Sequence, residues 1–81
     1  MKKYIATFYS HYGAIRYKKI CEELGLNAKV MPVPRSLSSS CGTCVGYTAD
    51  EHVIDENHKD ELEQIVIVRE DGYDNVYSSE D

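Results

Sequence analysis

The sequence lacks tryptophan and has no apolar run close to the roughly 20 residues that a membrane-spanning helix needs. It has only three cysteines, an odd number. Its first residues, MKKYIATFYSHYG, include two lysines but neither the apolar core nor the small-residue cleavage site of a secretory signal peptide. Because three cysteines do not make a disulfide framework, we expect reduced thiols in a cytoplasmic protein. The 81 residues, 42% apolar and 28% charged, predict one small globular domain over residues 1–81 and exclude a fibrous or disordered chain.

Charge is divided unevenly along the chain. The formal charge is +5 over residues 1–49 and −10 over residues 50–81, which together give the net charge of −5. The basic residues of the first part are scattered, and no basic run or RNA-binding aromatic signature accompanies them. We therefore expect no nucleic-acid partner, and a solvated acidic surface in the second part.

The first 25 residues predict a strand followed by a helix. Residues 3–9 are rich in β-branched and aromatic side chains on both faces, as in a central strand. Ser10 is a suitable N-cap for a helix that ends near residue 24, and Gly25 suits the left-handed position after it. The apolar side chains expected to face the core recur three and four residues apart: Ala14, Tyr17, Ile20, Cys21 and Leu24.

Two short strands are predicted next, over residues 27–33 and 41–48, and the last third of the chain allows two interpretations. QIVIVRE has the composition of a strand, and Asp71-Gly72 suits a hairpin turn into YDNVYS. Alternatively, helical spacing of Leu62, Ile65 and Val66 makes residues 60–71 a helix, followed by a strand over residues 73–78. The second interpretation gives an α+β fold, a ferredoxin-like split βαβ sandwich (β-α-β-β-α-β) with two helices on one face of an antiparallel sheet.

The segment PVPRSLSSSCGTC, residues 32–44, has the composition of a reactive-thiol loop. A cysteine is nucleophilic only as the thiolate, so a working thiol needs groups that stabilise the anion. Arg35, the hydroxyls of Ser39 and Ser40, and backbone N–H groups of a tight turn could do so beside Cys41. Gly42 would let a ligand approach the sulfur without meeting a Cβ atom.

Cys41-Gly42-Thr43-Cys44 is a C-x-x-C motif with three interpretations. The two thiols could form a redox dithiol, although on an extended strand residues i and i+3 point to opposite faces. They could bind a metal, but a structural zinc site needs four ligands, and His11, His52 and His58 have no characteristic spacing to the pair. In the third interpretation Cys41 alone is reactive and Cys44 is a small core residue. Cys21, on the apolar side of the predicted helix, is expected in the core.

The order of these features resembles the selenium/sulfur carrier-like family of small bacterial and archaeal proteins. The matching pattern is a strand with F-x-S-x-x-x-A, an amphipathic helix, a glycine, and then P-x-P-R-x-x-S-x-x-C-G before a short strand. The matching residues are Phe8, Ser10, Ala14, Gly25, Pro32, Pro34, Arg35, Ser38 or Ser39, Cys41 and Gly42.

The resemblance implies a compact α+β domain that carries reduced sulfur or selenium as a persulfide or selenopersulfide on Cys41, and it favours the helix over residues 60–71. Arg35, Gly42, Ser39 and Ser40 would line this site, and no cofactor, metal or membrane is implied. The partners would be donor and acceptor enzymes, and the protein would be a carrier rather than a stand-alone catalyst. Family members usually have aliphatic residues after Cys-Gly, so Cys44 leaves a resolving role open.

Overall fold

The central strand of the sheet is buried on both faces over residues 4–8. The computed structural model describes residues 1–37, 39–57 and 59–79. They form strand β1 (Lys2–Phe8), helix α1 (His11–Glu23), strands β2 (Asn27–Pro32) and β3 (Thr43–Ala49), a 3-10 turn (Lys59–Glu61), and strands β4 (Leu62–Arg69) and β5 (Gly72–Ser78). The strands make one antiparallel sheet in the order β2-β3-β1-β4-β5. No α-helix in these described ranges is long and apolar enough to cross a membrane.

Local signals place the start and end of α1 where the sequence predicts them. The Ser10 hydroxyl accepts a hydrogen bond from the Gly13 N–H at 3.2 Å, and this is the N-cap interaction. Gly25 has a φ of +79°, the left-handed conformation that favours glycine after a helix. Tyr17 and Cys21 are buried as expected, but the prediction for Leu24 is wrong, because it is the C-cap residue and is 61% exposed.

Side chains alternate between two apolar clusters on opposite faces of the sheet. The larger cluster lies beneath α1, where Phe8, Val45 and Ile65 pack against helix residues. The smaller cluster is on the face without a helix and contains Ile5, Cys44 and Val66, partly covered by Leu37 from the β2–β3 loop. The sheet is therefore apolar on both faces.

The predicted ferredoxin-like sandwich with two helices is wrong. Residues 60–71 are mostly strand β4, which forms a hairpin with β5, so the hairpin interpretation describes this part of the chain. Ile65, Val66 and Ile67 are all buried because the two apolar clusters cover both faces of β4. A strand buried on both faces loses the polar–apolar alternation that distinguishes it from a helix, so the helical spacing was misleading.

Candidate functional site

Cys41 lies in the loop between β2 and β3, at the end of the sheet where α1 begins. The loop is closed by the pairing of Pro32 with Thr43 and by a hydrogen bond from the Val33 N–H to the Gly42 carbonyl at 3.2 Å. Strand β3 starts at Thr43 rather than at the predicted residue 41, so Cys41 precedes the strand. Its thiol is half-buried and donates to the Thr43 carbonyl at 3.5 Å.

The other two cysteines are enclosed in the protein. Cys21 and Cys44 have no exposed surface, as predicted for Cys21 and as the one-thiol interpretation requires of Cys44. Burial raises the pKa of Cys21 to about 11, with a smaller contribution from the Glu22 carboxylate. Burial likewise raises the pKa of Cys44 to about 11, with a smaller contribution from Cys41. Both enclosed thiols thus stay protonated at neutral pH, and protonated thiols are poor nucleophiles.

The two serines before Cys41 hold the loop on the neighbouring strands. The Ser39 hydroxyl donates to the Phe8 carbonyl at 3.3 Å, and the Ser40 N–H and hydroxyl each donate to the Glu63 carboxylate at 3.2 Å. The buried Thr7 hydroxyl also donates to Glu63, at 3.3 Å. The hydroxyls of Ser39 and Ser40 are therefore engaged with the sheet and not with the sulfur of Cys41.

Glu63 reaches this loop because it is the extra residue of a β-bulge. The register between β1 and β4 shifts after Thr7, so that Thr7 pairs with Gln64 and Phe8 pairs with Leu62. Glu63, between these two partners, is left without a partner on β1, and its side chain is redirected towards Ser40. Glu63 is not among the predicted site residues, because the strand composition of QIVIVRE, which follows it, does not indicate the pairing with β1.

On the other side of Cys41, the loop is bonded to the first residue of α1. The Thr43 hydroxyl and His11 Nδ1 share a hydrogen bond of 2.7 Å. Ser39 and Thr43, two residues before and after Cys41, are thus bonded to Phe8 and His11, which flank the β1–α1 junction. These contacts hold Cys41 over that junction.

The structure brings only some of the predicted site residues together. Arg35 lies in a turn closed by the Leu37 N–H and the Pro34 carbonyl at 3.0 Å, and its exposed guanidinium has no hydrogen bond or ion pair with a described residue. Gly42 adjoins Cys41 with a φ of +74°, and a Cβ atom there would meet nothing within 4 Å. Gly42 is thus suited to its left-handed backbone conformation, and the space beside it is open.

The described residues contain no cluster of three or more histidine, cysteine, aspartate or glutamate side chains that could hold a metal ion. His11 is beside Thr43 at the start of β3, whereas His52 follows the end of β3 and its ring contacts Tyr4 at 6.3 Å between centroids. Ser38 and His58, which the sequence analysis also considered, lie outside the described residues. The part of the chain that can be described gives the metal interpretation no support.

Comparison with known proteins bears out the resemblance. A family model described as "Putative Se/S carrier protein-like" matches residues 3–78. The chain is also similar to "Uncharacterized protein YtiA" of Escherichia coli strain K12, with 33% identity over 48 residues. That alignment covers 59% of this chain and 56% of YtiA, so it spans little more than half of either protein. No solved structure matches the chain.

Proposed function

Because the chain belongs to the Se/S carrier protein-like family, we propose that it carries sulfur or selenium as a persulfide or selenopersulfide on Cys41. The observation that carries this proposal is the difference between the three thiols. Cys41 is partly exposed in a loop, whereas Cys21 and Cys44 are enclosed in the core. A cargo-bearing thiol must reach solvent and partner proteins, and Cys41 is the cysteine that meets this condition.

Loading would be a sulfur exchange without net oxidation. The Cys41 thiolate attacks the terminal sulfur of a donor persulfide, forms a new S–S bond, and displaces the donor thiolate, which takes up a proton. An acceptor thiolate then attacks the terminal sulfur and releases Cys41 as a thiolate. The same steps with a terminal selenium atom would transfer selenium.

The surroundings of Cys41 suit cargo binding more than independent catalysis. The open space beside Gly42 gives a donor persulfide access to the sulfur. The Arg35 guanidinium, which has no partner among the described residues, can turn towards an anionic cargo. The carboxylate of Glu63 on β4, which contacts this loop, already accepts hydrogen bonds from Ser40 and Thr7. We therefore propose a cytoplasmic, single-domain carrier that depends on separate donor and acceptor enzymes.

The dithiol alternative finds little support in the position of Cys44. Its side chain belongs to the cluster on the face without a helix and donates to the Pro32 carbonyl at 3.6 Å. Cys41 packs instead against the cluster beneath α1. A disulfide needs the two Cβ atoms about 4 Å apart, and side chains directed to opposite faces oppose that approach.

Loading with glutathione persulfide, followed by peptide mapping under non-reducing conditions, tests the proposal. We expect one added sulfur atom on the peptide that contains Cys41, removable by dithiothreitol. The Cys41→Ser variant should acquire none, and the matched variant Cys44→Ser should load like the wild type. No adduct on folded wild-type protein, or an adduct on Cys21 or Cys44 instead, would refute the carrier role of Cys41.

A further inference from the structure

Thr43 contacts both Cys41 and His11 through two different groups. Its backbone carbonyl accepts the hydrogen bond of the Cys41 thiol at 3.5 Å, and its hydroxyl pairs with His11 Nδ1 at 2.7 Å. His11 is the first residue of α1 and is exposed, and its Nε2 atom has no hydrogen bond with a described residue. A single residue thus holds an imidazole ring beside the loop of the partly exposed thiol.

Among residues 1–37, 39–57 and 59–79, other charged groups around this loop come from the 3-10 turn, β4 and the loop itself. From the 3-10 turn and β4, Glu61 is hydrogen-bonded to the Ser10 hydroxyl, and Glu63 to Ser40 and Thr7. From the β2–β3 loop comes Arg35, which is exposed. The first turn of α1 contains no acidic residue. Among the described residues on this side of the loop, His11 is the one with an imidazole ring, which can be neutral or cationic.

We propose that His11 is a positioning residue that makes the reactivity of Cys41 depend on pH. Of the proposed function, this requires only that Cys41 is the working thiol. In its cationic form the His11 ring stabilises the Cys41 thiolate by Coulomb attraction. The neutral form lacks this attraction. Thr43 keeps the ring in place in both states.

The rate of Cys41 alkylation by iodoacetamide, followed by peptide mapping between pH 5.5 and 9, tests the proposal. Thiolate attack on the reagent's methylene carbon releases iodide, so this reaction requires no sulfur donor. We expect His11→Gln to slow the reaction about threefold at pH 6 and to leave it unchanged at pH 9, because only the cationic ring contributes. The matched control His52→Gln, which alters an exposed histidine at the other end of β3, should follow the wild-type profile.

Two variants of Thr43 distinguish an effect of the His11 charge on Cys41 reactivity from an effect of the loop structure. Thr43→Ser keeps the hydroxyl and should retain the wild-type pH profile, whereas Thr43→Val should reproduce the loss seen in His11→Gln at pH 6. Equal slowing of His11→Gln at pH 6 and pH 9 would show a structural role alone, and no slowing at either pH would refute any role. If the His11 effect is present but no persulfide forms on Cys41, the carrier proposal fails and this inference stands; the reverse result refutes this inference alone.

Discussion

Cys41 and Cys44 are three residues apart in the sequence and pack against opposite faces of the same sheet. Cys41 lies against the apolar cluster beneath α1, and Cys44 lies in the cluster on the other face with Ile5 and Val66. Alternation along β3 directs Cys44 to the face opposite to that of Thr43, whereas Cys41 lies in the loop before the strand. The C-x-x-C spacing therefore does not by itself make a dithiol site here.

The first prediction concerns the lifetime of a sulfur adduct. A nearby thiolate would attack the inner sulfur of a Cys41 persulfide, expel hydrosulfide and leave a disulfide. Because Cys44 is enclosed on the other face and its pKa is raised to about 11, we expect the adduct to decay equally fast in wild type and Cys44→Ala. Timed intact-mass spectra measure this decay. A much longer-lived adduct in Cys44→Ala would show that Cys44 resolves the persulfide.

The limits of sequence-based prediction differ between the two ends of this chain. The bounds of α1 could be predicted because Ser10 and Gly25 act locally, within one helical turn of the positions that they define. Strand β4 was mistaken for a helix because its identity depends on tertiary burial on both faces, where Ile65 and Val66 enter different clusters. The residues adjacent to β4 in the sequence do not indicate that both of its faces are buried.

The candidate site shows the same division. The local sequence indicates a bend at Gly42, which has a φ of +74°, but it predicts Cys41 at the start of a strand, whereas the structure has Cys41 in the loop before β3. The contacts that hold this loop come from Glu63 and His11, which are distant in sequence. Glu63 reaches the loop through a bulge whose position depends on the pairing of β1 with β4, and no residue pattern within β4 indicates that register.

The second prediction concerns stability at alkaline pH. Burial raises the pKa values of Cys21 and Cys44 from 9.0 to about 11 in the folded protein. Between these values the unfolded chain releases thiol protons that the folded protein retains, so the free energy of unfolding falls as pH rises. The free energy of unfolding therefore keeps its full value below about pH 9 and decreases as the pH rises towards 11. Tyr47, whose pKa burial raises to about 12, extends the decrease to higher pH.

Urea unfolding at intervals from pH 7 to 10.5 measures this dependence. Cys44→Ala removes one of the two buried thiols, so its free energy of unfolding should decrease less steeply above pH 9, by about 1 kcal/mol over the range. Cys41→Ala, which alters the partly exposed thiol, is the matched control and should show a steeper decline than Cys44→Ala. Parallel curves for Cys44→Ala and wild type would contradict the buried-thiol explanation.

The third prediction concerns the close contact between α1 and the 3-10 turn. A Cβ atom added to Gly13 would lie 2.8 Å from the Cβ atom of Glu61, a distance at which one of the two segments must move. Alanine is the better helix former by about 1 kcal/mol, yet we expect Gly13→Ala to destabilise the protein by about 1–3 kcal/mol. Ile15→Ala, at an exposed position of the same helix, should change stability by less than about 0.5 kcal/mol. Thermal or urea unfolding compares the two, and a stabilising Gly13→Ala would show that the contact is loose.

The last prediction concerns a small hydrogen-bonded network that attaches the segment after β3 to the core. The hydroxyls of Tyr17 and Tyr47 share a hydrogen bond of 2.8 Å. The Tyr17 hydroxyl also donates to the Val53 carbonyl at 2.7 Å, and the Val53 N–H donates to the Tyr47 hydroxyl at 3.0 Å. Burial and the neighbouring Tyr47 raise the pKa of Tyr17, so its hydroxyl stays a donor throughout the working pH range. The network therefore satisfies both backbone groups of Val53 with tyrosine hydroxyls.

Replacing Tyr17 by phenylalanine keeps the ring, which packs against Phe8 at 5.0 Å between centroids, and removes only the hydroxyl. The Val53 carbonyl then loses its donor at a partly buried site, which should cost about 1–3 kcal/mol of unfolding free energy. Tyr12→Phe is the matched control, since its hydroxyl is exposed and accepts from Arg16 at 2.7 Å, and it should cost less than about 0.5 kcal/mol. Urea unfolding and amide hydrogen exchange at Val53 measure both effects. If the two variants are equally stable and the Val53 amide exchanges at the wild-type rate, the segment is held by apolar contacts and not by the tyrosine hydroxyls.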